Sequence, residues 1–211
     1  MSGAPLRIGV LLSGTGTSLE NLCERIDAGE LRARVVVVVS SRDEAPGLER
    51  ARRRGIPAFA VPRRQYPEVK HFNDALHRTL EPFDPDLVLL LGFLSPFELR
   101  GRFEGRAINV HPALVPAFSG TGFYGARVHE AVLEAGVRVT GVTVHFVDEQ
   151  YDHGPIIVQE AVPVLDDDTA ETLAARVQAV ERRLVPEAVR LYAAGRLRIE
   201  GRRVRILPER G

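Results

Sequence analysis

The sequence predicts an α/β protein with a doubly wound, mostly parallel sheet. Two observations support this fold class. Short, continuous apolar runs, such as the five valines at 35–39, have no polar alternation that would mark a solvent-facing side. These runs alternate along the chain with segments of helical periodicity. Strands covered by helices on both faces have this pattern, which is typical of parallel sheets.

The elements of the first half follow from these runs. Strands are predicted at 8–12, 35–39 and 86–91. Helices are predicted at 18–28, 47–54 and 67–81. A strand that is followed by a helix and then by another strand is the unit from which a doubly wound sheet is built.

The second half has a different character. A short strand is predicted to begin near Ala107, and further strands at 139–147 and 155–163, the first of which alternates in polarity. A long helix is predicted at 169–192, capped by Asp168 or Thr169 and kinked or split near Leu184 because Pro186 lacks an N–H group. The basic tail predicts a small hairpin around Glu200-Gly201.

Length and composition restrict the class of protein. The 211 residues suit a single domain, 1–211, with an N-terminal half at 6–110 and a C-terminal half at 111–211. Lys and Arg number 28, as do Asp and Glu, so we expect neither nucleic acid nor an anionic membrane as a partner. The single cysteine, Cys23, lies among apolar helix positions and is interpreted as a packing residue in a reducing compartment. With no secretory signal or 18-residue apolar run, the protein is expected to be cytoplasmic.

A glycine-rich loop, Ser13-Gly14-Thr15-Gly16-Thr17-Ser18-Leu19, follows the first strand and opens the first helix. Glycines allow a ligand to approach the backbone, and amides at a helix start attract anions. We therefore interpret the loop as a phosphate site, although turn geometry alone also explains its glycines. The third glycine of the dinucleotide fingerprint is replaced by Leu19, so NADP binding is the weaker interpretation.

Asn109 and His111 lie two residues apart at the end of a strand and therefore share one face. An amide and a protonated imidazole there are suited to stabilising an oxyanion. A neighbouring carboxylate would raise the pKa of His111 and orient its ring. Asp152 is the candidate for this carboxylate, and Asp148 is the alternative. A structural histidine and a solvated acidic loop remain the simpler interpretations.

These motifs together resemble a known family. The glycine loop, Asn109-Val110-His111-Pro112, and the stretch from Val144 to Asp148 with Asp152-His153-Gly154-Pro155 are similar to the folate-dependent phosphoribosylglycinamide formyltransferases, from about residue 7 to 203. The resemblance implies a single Rossmann-like domain. It also implies transfer of a formyl group from 10-formyltetrahydrofolate, the co-substrate, to the amine of glycinamide ribonucleotide in purine synthesis. The partners would be these small molecules, without a metal, and the protein would be a monomer or a homodimer.

The resemblance also assigns residues to functions. It implies that Asn109, His111 and Asp152 are catalytic, and that Gly16, Thr17 and Ser18 bind the substrate phosphate. It further implies that Glu181 contacts the ribonucleotide. The folate would be bordered by Phe93 and Leu94 and by the loop from Val147 to Asp152, including Asp148.

Three departures from the family pattern concern binding. The segment 92–96 is about two residues shorter than in many members. Val69 stands where some members have an arginine near the substrate phosphate, which Lys70 or Arg64 would have to replace. The segment 119–125, rich in glycine, is longer than in some members and is interpreted as a mobile lid or a plain surface loop.

Alternative functions for the chain use a different formyl acceptor or involve no catalysis. A formyltetrahydrofolate deformylase would use water, and members of that group usually carry an additional N-terminal domain and a histidine in place of Pro112. Transferases that act on methionyl-tRNA or a nucleotide sugar carry a further C-terminal domain. A non-catalytic folate or nucleotide binding protein would release no tetrahydrofolate.

Overall fold

Apolar runs of the first half form parallel strands in the computed structural model, which describes residues 4–209. The residues up to Ile108 form one compact unit, and those from Asn109 onward form a second. The first unit contains strands β1 (Leu6–Leu12), β2 (Ala33–Ser40), β3 (Ala58–Ala60) and β4 (Leu87–Leu90). They are arranged in the order β3-β2-β1-β4, and each of the three pairs is parallel.

Three helices belong to this first unit: α1 (Thr17–Asp27), α2 (Pro46–Arg53) and α3 (Val69–Leu80). The predicted strands and helices are confirmed within a few residues, whereas the short strand β3 was not predicted. Val37, Val38 and Val39 are fully buried, as expected for a strand covered on both faces. Cys23 is only 5% exposed, and burial raises its pKa to about 11 against the opposing charge of Arg54, which confirms its packing role.

Strand β5 (Ala107–His111) crosses the boundary between the units. The second unit continues with helix α4 (Ala126–Glu134), strands β6 (Val139–Phe146) and β7 (Ile156–Pro163), helix α5 (Ala170–Ala193), and strands β8 (Leu197–Glu200) and β9 (Arg203–Ile206). The strand order is β5-β6-β7-β9-β8. Strands β6 and β7 are antiparallel, β9 runs parallel to β7, and β8 and β9 form the predicted terminal hairpin.

Helix α5 bears on the predicted cap and on the predicted split at Pro186, whereas a kink at this proline stays a prediction. Thr169 caps it through a reciprocal pair of hydrogen bonds with Thr172, as one of the two predicted caps. However, the helix is not split at Pro186 and continues over 24 residues. Buried side chains precede and follow the proline, including Leu184 and Val189, and their packing keeps both halves of the helix in place despite the missing N–H group.

The α/β fold class with a mostly parallel open sheet is confirmed. That the chain is a single domain stays a prediction. Among residues 4–209, no helix is long and apolar enough to cross a membrane. Within the same range, no three His, Cys, Asp or Glu side chains are grouped as ligands for a metal ion.

Candidate active site

The end of β5 presents two polar side chains on one face, as its alternation requires. His111 is the last residue of this strand and is only 4% exposed, whereas Asn109 is half-buried. Burial of polar side chains is costly unless they find hydrogen-bond partners. The partners of both residues come from β6, from the loop between β6 and β7, and from the segment that follows β5.

The loop between β6 and β7 supplies the carboxylate. Asp152 lies in it with a left-handed backbone, φ 51°. A Cβ atom at Gly154 would lie 1.8 Å from the carbonyl oxygen of Phe146, so only glycine allows this close approach. The sequence Asp-His-Gly therefore forms a tight loop that turns Asp152 toward β5.

The structure brings Asn109, His111 and Asp152 together. Asp152 Oδ2 lies 3.3 Å from His111 Nδ1, and the two side chains are 10% and 5% exposed. Asn109 Nδ2 donates to Asp152 Oδ1 at 3.1 Å. Asp148, the alternative carboxylate, instead lies 2.6 Å from His153 Nδ1. Asp152 is thus the carboxylate beside His111.

His145, on β6, completes this cluster and is 2% exposed. Its Nδ1 donates to the carbonyl oxygen of Phe146 at 2.8 Å, which leaves Nε2 to accept from Asn109 Nδ2 at 3.1 Å. Both amide hydrogens of Asn109 therefore have protein acceptors, Asp152 and His145. An oxyanion that binds Asn109 must displace one of them.

The segment after β5 contacts both His111 and Asp152. His111 Nε2 lies 2.8 Å from the carbonyl oxygen of Phe118, and the N–H of Gly120 donates to Asp152 Oδ2 at 2.9 Å. Phe118 has a left-handed backbone, φ 49°, which directs its carbonyl group. The sequence predicted a lid or a surface loop here but gave no sign of these contacts, because they are made by backbone groups.

Burial lowers the pKa of His111, and this effect exceeds the opposing effects of the Asp152 charge and the Phe118 carbonyl. The predicted effect of Asp152 is present, since its charge raises the pKa of His111, but burial outweighs it because the ring is almost completely removed from water. Burial raises the pKa of Asp152, but contacts with His145, His111 and the Gly120 N–H outweigh burial and lower the pKa overall. The resting pair is a carboxylate beside a ring whose charged form is disfavoured.

The glycine loop lies in the first unit, at the start of α1. Gly16 precedes the helix with φ 75°, and a Cβ atom there would lie 2.6 Å from the Cα of Gly47. Hydrogen bonds join the loop to α2, from the Gly47 N–H to the Gly14 carbonyl at 3.1 Å and from Arg50 Nε to the Thr15 carbonyl at 2.9 Å. Thr17 and Ser18 form the first turn of α1, where helix amides favour an anion.

The other residues implied by the resemblance have distinct environments. Phe93 is buried and stacks on Phe72 with ring centroids 6.3 Å apart. Leu94 is 40% exposed, and its N–H donates to Ser13 Oγ. Val147 follows β6 and is half-buried, as is Glu181 on α5. Their contacts with ligands stay predictions.

An open α/β sheet with an amide and a buried imidazole at a strand end, beside a carboxylate from a neighbouring loop, is the architecture of an enzyme that handles protons and a developing negative charge. Comparison with known proteins agrees with this class. The formyl transferase family model matches residues 6–189, and the chain belongs to this family.

Several relatives share most of this chain. Phosphoribosylglycinamide formyltransferase of Haemophilus influenzae is 33% identical over 197 residues, which cover 92% of this chain and 90% of the relative. The trifunctional purine biosynthetic protein adenosine-3 of Gallus gallus is 44% identical over 198 residues, and the match spans only 19% of its length. Among solved structures, glycinamide ribonucleotide transformylase 1 of Symbiobacterium toebii is 46% identical, with a TM-score of 0.91 over 98% of this chain and 96% of that one.

Proposed function

We propose that this protein transfers the formyl group of 10-formyltetrahydrofolate to the amine of glycinamide ribonucleotide, yielding formylglycinamide ribonucleotide and tetrahydrofolate in purine synthesis. The buried cluster of Asn109, His111 and Asp152 carries the proposal, because it combines an oxyanion donor with a proton-transfer pair. The activities in the names of the Haemophilus influenzae and Symbiobacterium toebii proteins support the choice of substrate.

In the proposed mechanism, the amine nitrogen attacks the formyl carbon, and negative charge develops on the formyl oxygen. Asn109 donates to this oxygen after exchanging one of its two protein acceptors. His111 faces acceptors at both ring nitrogens, so taking up a proton gains a second hydrogen bond. Once the substrate displaces one of these acceptors, His111 accepts the proton from the amine and passes it to folate N10 as the C–N10 bond breaks. Asp152 orients the ring and stabilises its transient charge.

Binding roles are proposed for each unit separately. Gly16, Thr17 and Ser18 bind the ribonucleotide phosphate at the start of α1. Glu181 binds the ribonucleotide. The folate is bordered by the side chains of Phe93, Leu94, Val147 and Asp148. No metal takes part, so a chelator is expected to leave turnover unchanged.

The proposal extends to the partners, the cellular location and the oligomeric state of the protein. The balance of 28 basic and 28 acidic residues supports small-molecule partners rather than nucleic acid or a membrane. The buried thiol of Cys23 supports a cytoplasmic location. We expect a monomer or a homodimer.

The test is to mix purified protein with 10-formyltetrahydrofolate and to measure tetrahydrofolate with and without glycinamide ribonucleotide. Turnover that requires the ribonucleotide is expected, and equal turnover without it would favour a deformylase. Asn109→Ala and His111→Ala are each expected to lower kcat by roughly 10²–10³-fold. His71→Ala, at an exposed helix position, is the matched control and should keep normal turnover. Near-normal turnover of either site variant would contradict the proposed cluster.

A further inference from the structure

Arg202 connects the terminal hairpin to the loop that carries Asp152. It lies in the turn between β8 and β9, and its Nη2 donates to the carbonyl oxygen of His153 at 2.9 Å. Its Nη1 lies 2.6 Å from His153 Nε2 and 3.1 Å from Nδ1. One guanidinium group thus contacts both the backbone and the ring of a single residue, His153, which directly follows Asp152.

These contacts extend to Asp148, at the other end of the same loop. Because the Asp148 carboxylate only accepts, His153 Nδ1 donates to Asp148 Oδ2 at 2.6 Å, and Arg202 Nη1 lies close to both nitrogens of the same ring. Asp148 Oδ1 also accepts from the N–H of Gln150 at 3.0 Å. The chain of contacts from Arg202 through His153 to Asp148 therefore closes the loop around the residues between them.

Asp152 lies within this closed segment. Its left-handed backbone, φ 51°, is unfavourable for a residue with a side chain and persists only where the surroundings hold it. Both residues that follow Asp152 are held in place: Gly154 is packed against Phe146, and the carbonyl oxygen of His153 accepts a hydrogen bond from Arg202. A shift of His153 would move Asp152 relative to His111 and Asn109.

We propose that Arg202 is a positioning residue, which fixes the loop from Asp148 to Gly154. In this fixed loop Asp152 faces His111, and the backbone that borders the folate already has its binding conformation before the ligand arrives. The inference rests on the proposed function and deepens it. Position 202 lies outside residues 6–189, the span that the family model matches. Because Arg202 is exposed, its truncation removes these hydrogen bonds without opening a cavity in the core.

The kinetic test compares Arg202→Ala with Arg202→Lys and with Arg205→Ala, an exposed arginine of the same hairpin whose ion pair is with Glu200. For Arg202→Ala we expect kcat/KM for 10-formyltetrahydrofolate to fall roughly 10- to 100-fold, as when a reacting group is misplaced by about 1 Å. The KM for glycinamide ribonucleotide should stay the same. Arg202→Lys should recover part of the loss, since an ammonium group can replace one of the contacts. Equal constants for the wild type, Arg202→Ala and Arg205→Ala would overturn the proposal.

Hydrogen exchange of the wild type, Arg202→Ala and Arg205→Ala separates this inference from the proposed function. We expect faster exchange in residues 148–154 of Arg202→Ala only, with unchanged exchange in β6 and β7. If the wild type lacked ribonucleotide-dependent turnover, the proposed function would fail, and this exchange pattern would still decide whether Arg202 holds the loop. Unchanged exchange in residues 148–154 would refute the positioning role.

Discussion

The side-chain amide of Asn109 already has hydrogen-bond acceptors within the protein. Its Nδ2 donates to Asp152 and to His145, both at 3.1 Å. This fixes the orientation of the amide before substrate binds, although one of the two acceptors must give way when the amide donates to the oxyanion. Sequence spacing predicted that Asn109 and His111 share a face. It did not predict the hydrogen bond of the Asn109 amide with His145, which lies 36 residues away along the chain.

The titration of His111 tests the balance between burial and charge. Because burial lowers its pKa and the Asp152 carboxylate opposes this, we expect the wild-type pKa to lie below that of an ordinary histidine. Asp152→Asn removes the opposing charge and should lower the pKa of His111 further. NMR titration of the ring, assigned with His111→Gln, measures both values. A wild-type pKa above the ordinary value would mean that the carboxylate outweighs burial.

Local patterns predicted most of the elements because each pattern is contained within the element itself. The valine run of β2 and the apolar stripe of α5 are examples. The strand β3 is three residues long, too short for a periodic signal, and pairs with β2 through backbone groups. The continuity of α5 at Pro186 depends on tertiary packing, which the sequence pattern does not contain.

The turn between β1 and α1 allows a test that separates backbone strain from close packing. Gly16 and Gly29 both have φ 75°, but a Cβ atom on Gly16 would lie 2.6 Å from the Gly47 backbone, whereas one on Gly29 would contact nothing within 4 Å. The two alanine variants should share a backbone strain of roughly 1–2 kcal/mol. Only Gly16→Ala must also displace the loop from α2.

Gly16→Ala is therefore expected to raise the KM for glycinamide ribonucleotide roughly 10-fold or more, since loss of a charge-assisted phosphate contact costs about 1.5–3 kcal/mol. The KM for 10-formyltetrahydrofolate should change little. Gly29→Ala should lower the thermal midpoint by less, because it adds backbone strain alone, and both of its KM values should stay normal. Initial-rate kinetics and thermal melts of the two variants measure these effects. Equal KM values for the ribonucleotide in both variants would argue against a phosphate site at Gly16.

At the scale of the whole molecule, each unit supplies a different part of the proposed chemistry. The first carries the glycine loop, and the second carries the buried cluster and the hairpin with Arg202. Motif spacing predicted those groups of site residues that are close together in the sequence. Contacts such as that of Arg202 with His153, 49 residues apart, arise only when β9 pairs with β7, so the sequence alone gave no signal for them.

Buried histidines make the stability of the whole fold sensitive to acid. Burial lowers the pKa of His77, His111 and His129. The unfolded chain therefore binds more protons than the folded chain as pH falls below about 6.5, and stability is lost there. The lowered pKa of Asp152 acts in the same direction at lower pH, because its stabilising contribution is lost as pH falls below the ordinary carboxyl range.

His129→Gln isolates one of these contributions. His129 is 6% exposed, and its Nδ1 is buried without a hydrogen-bond partner among residues 4–209. Its charging in acid should therefore be strongly resisted by the fold. Calorimetry between pH 8 and pH 5 should show a flat thermal midpoint above about pH 7 and a decline below it for the wild type. The decline should be shallower for His129→Gln and unchanged for His71→Gln, at an exposed position. Identical slopes for all three proteins would mean that burial of His129 does not contribute to acid sensitivity, and the decline would then have to come from the other buried groups.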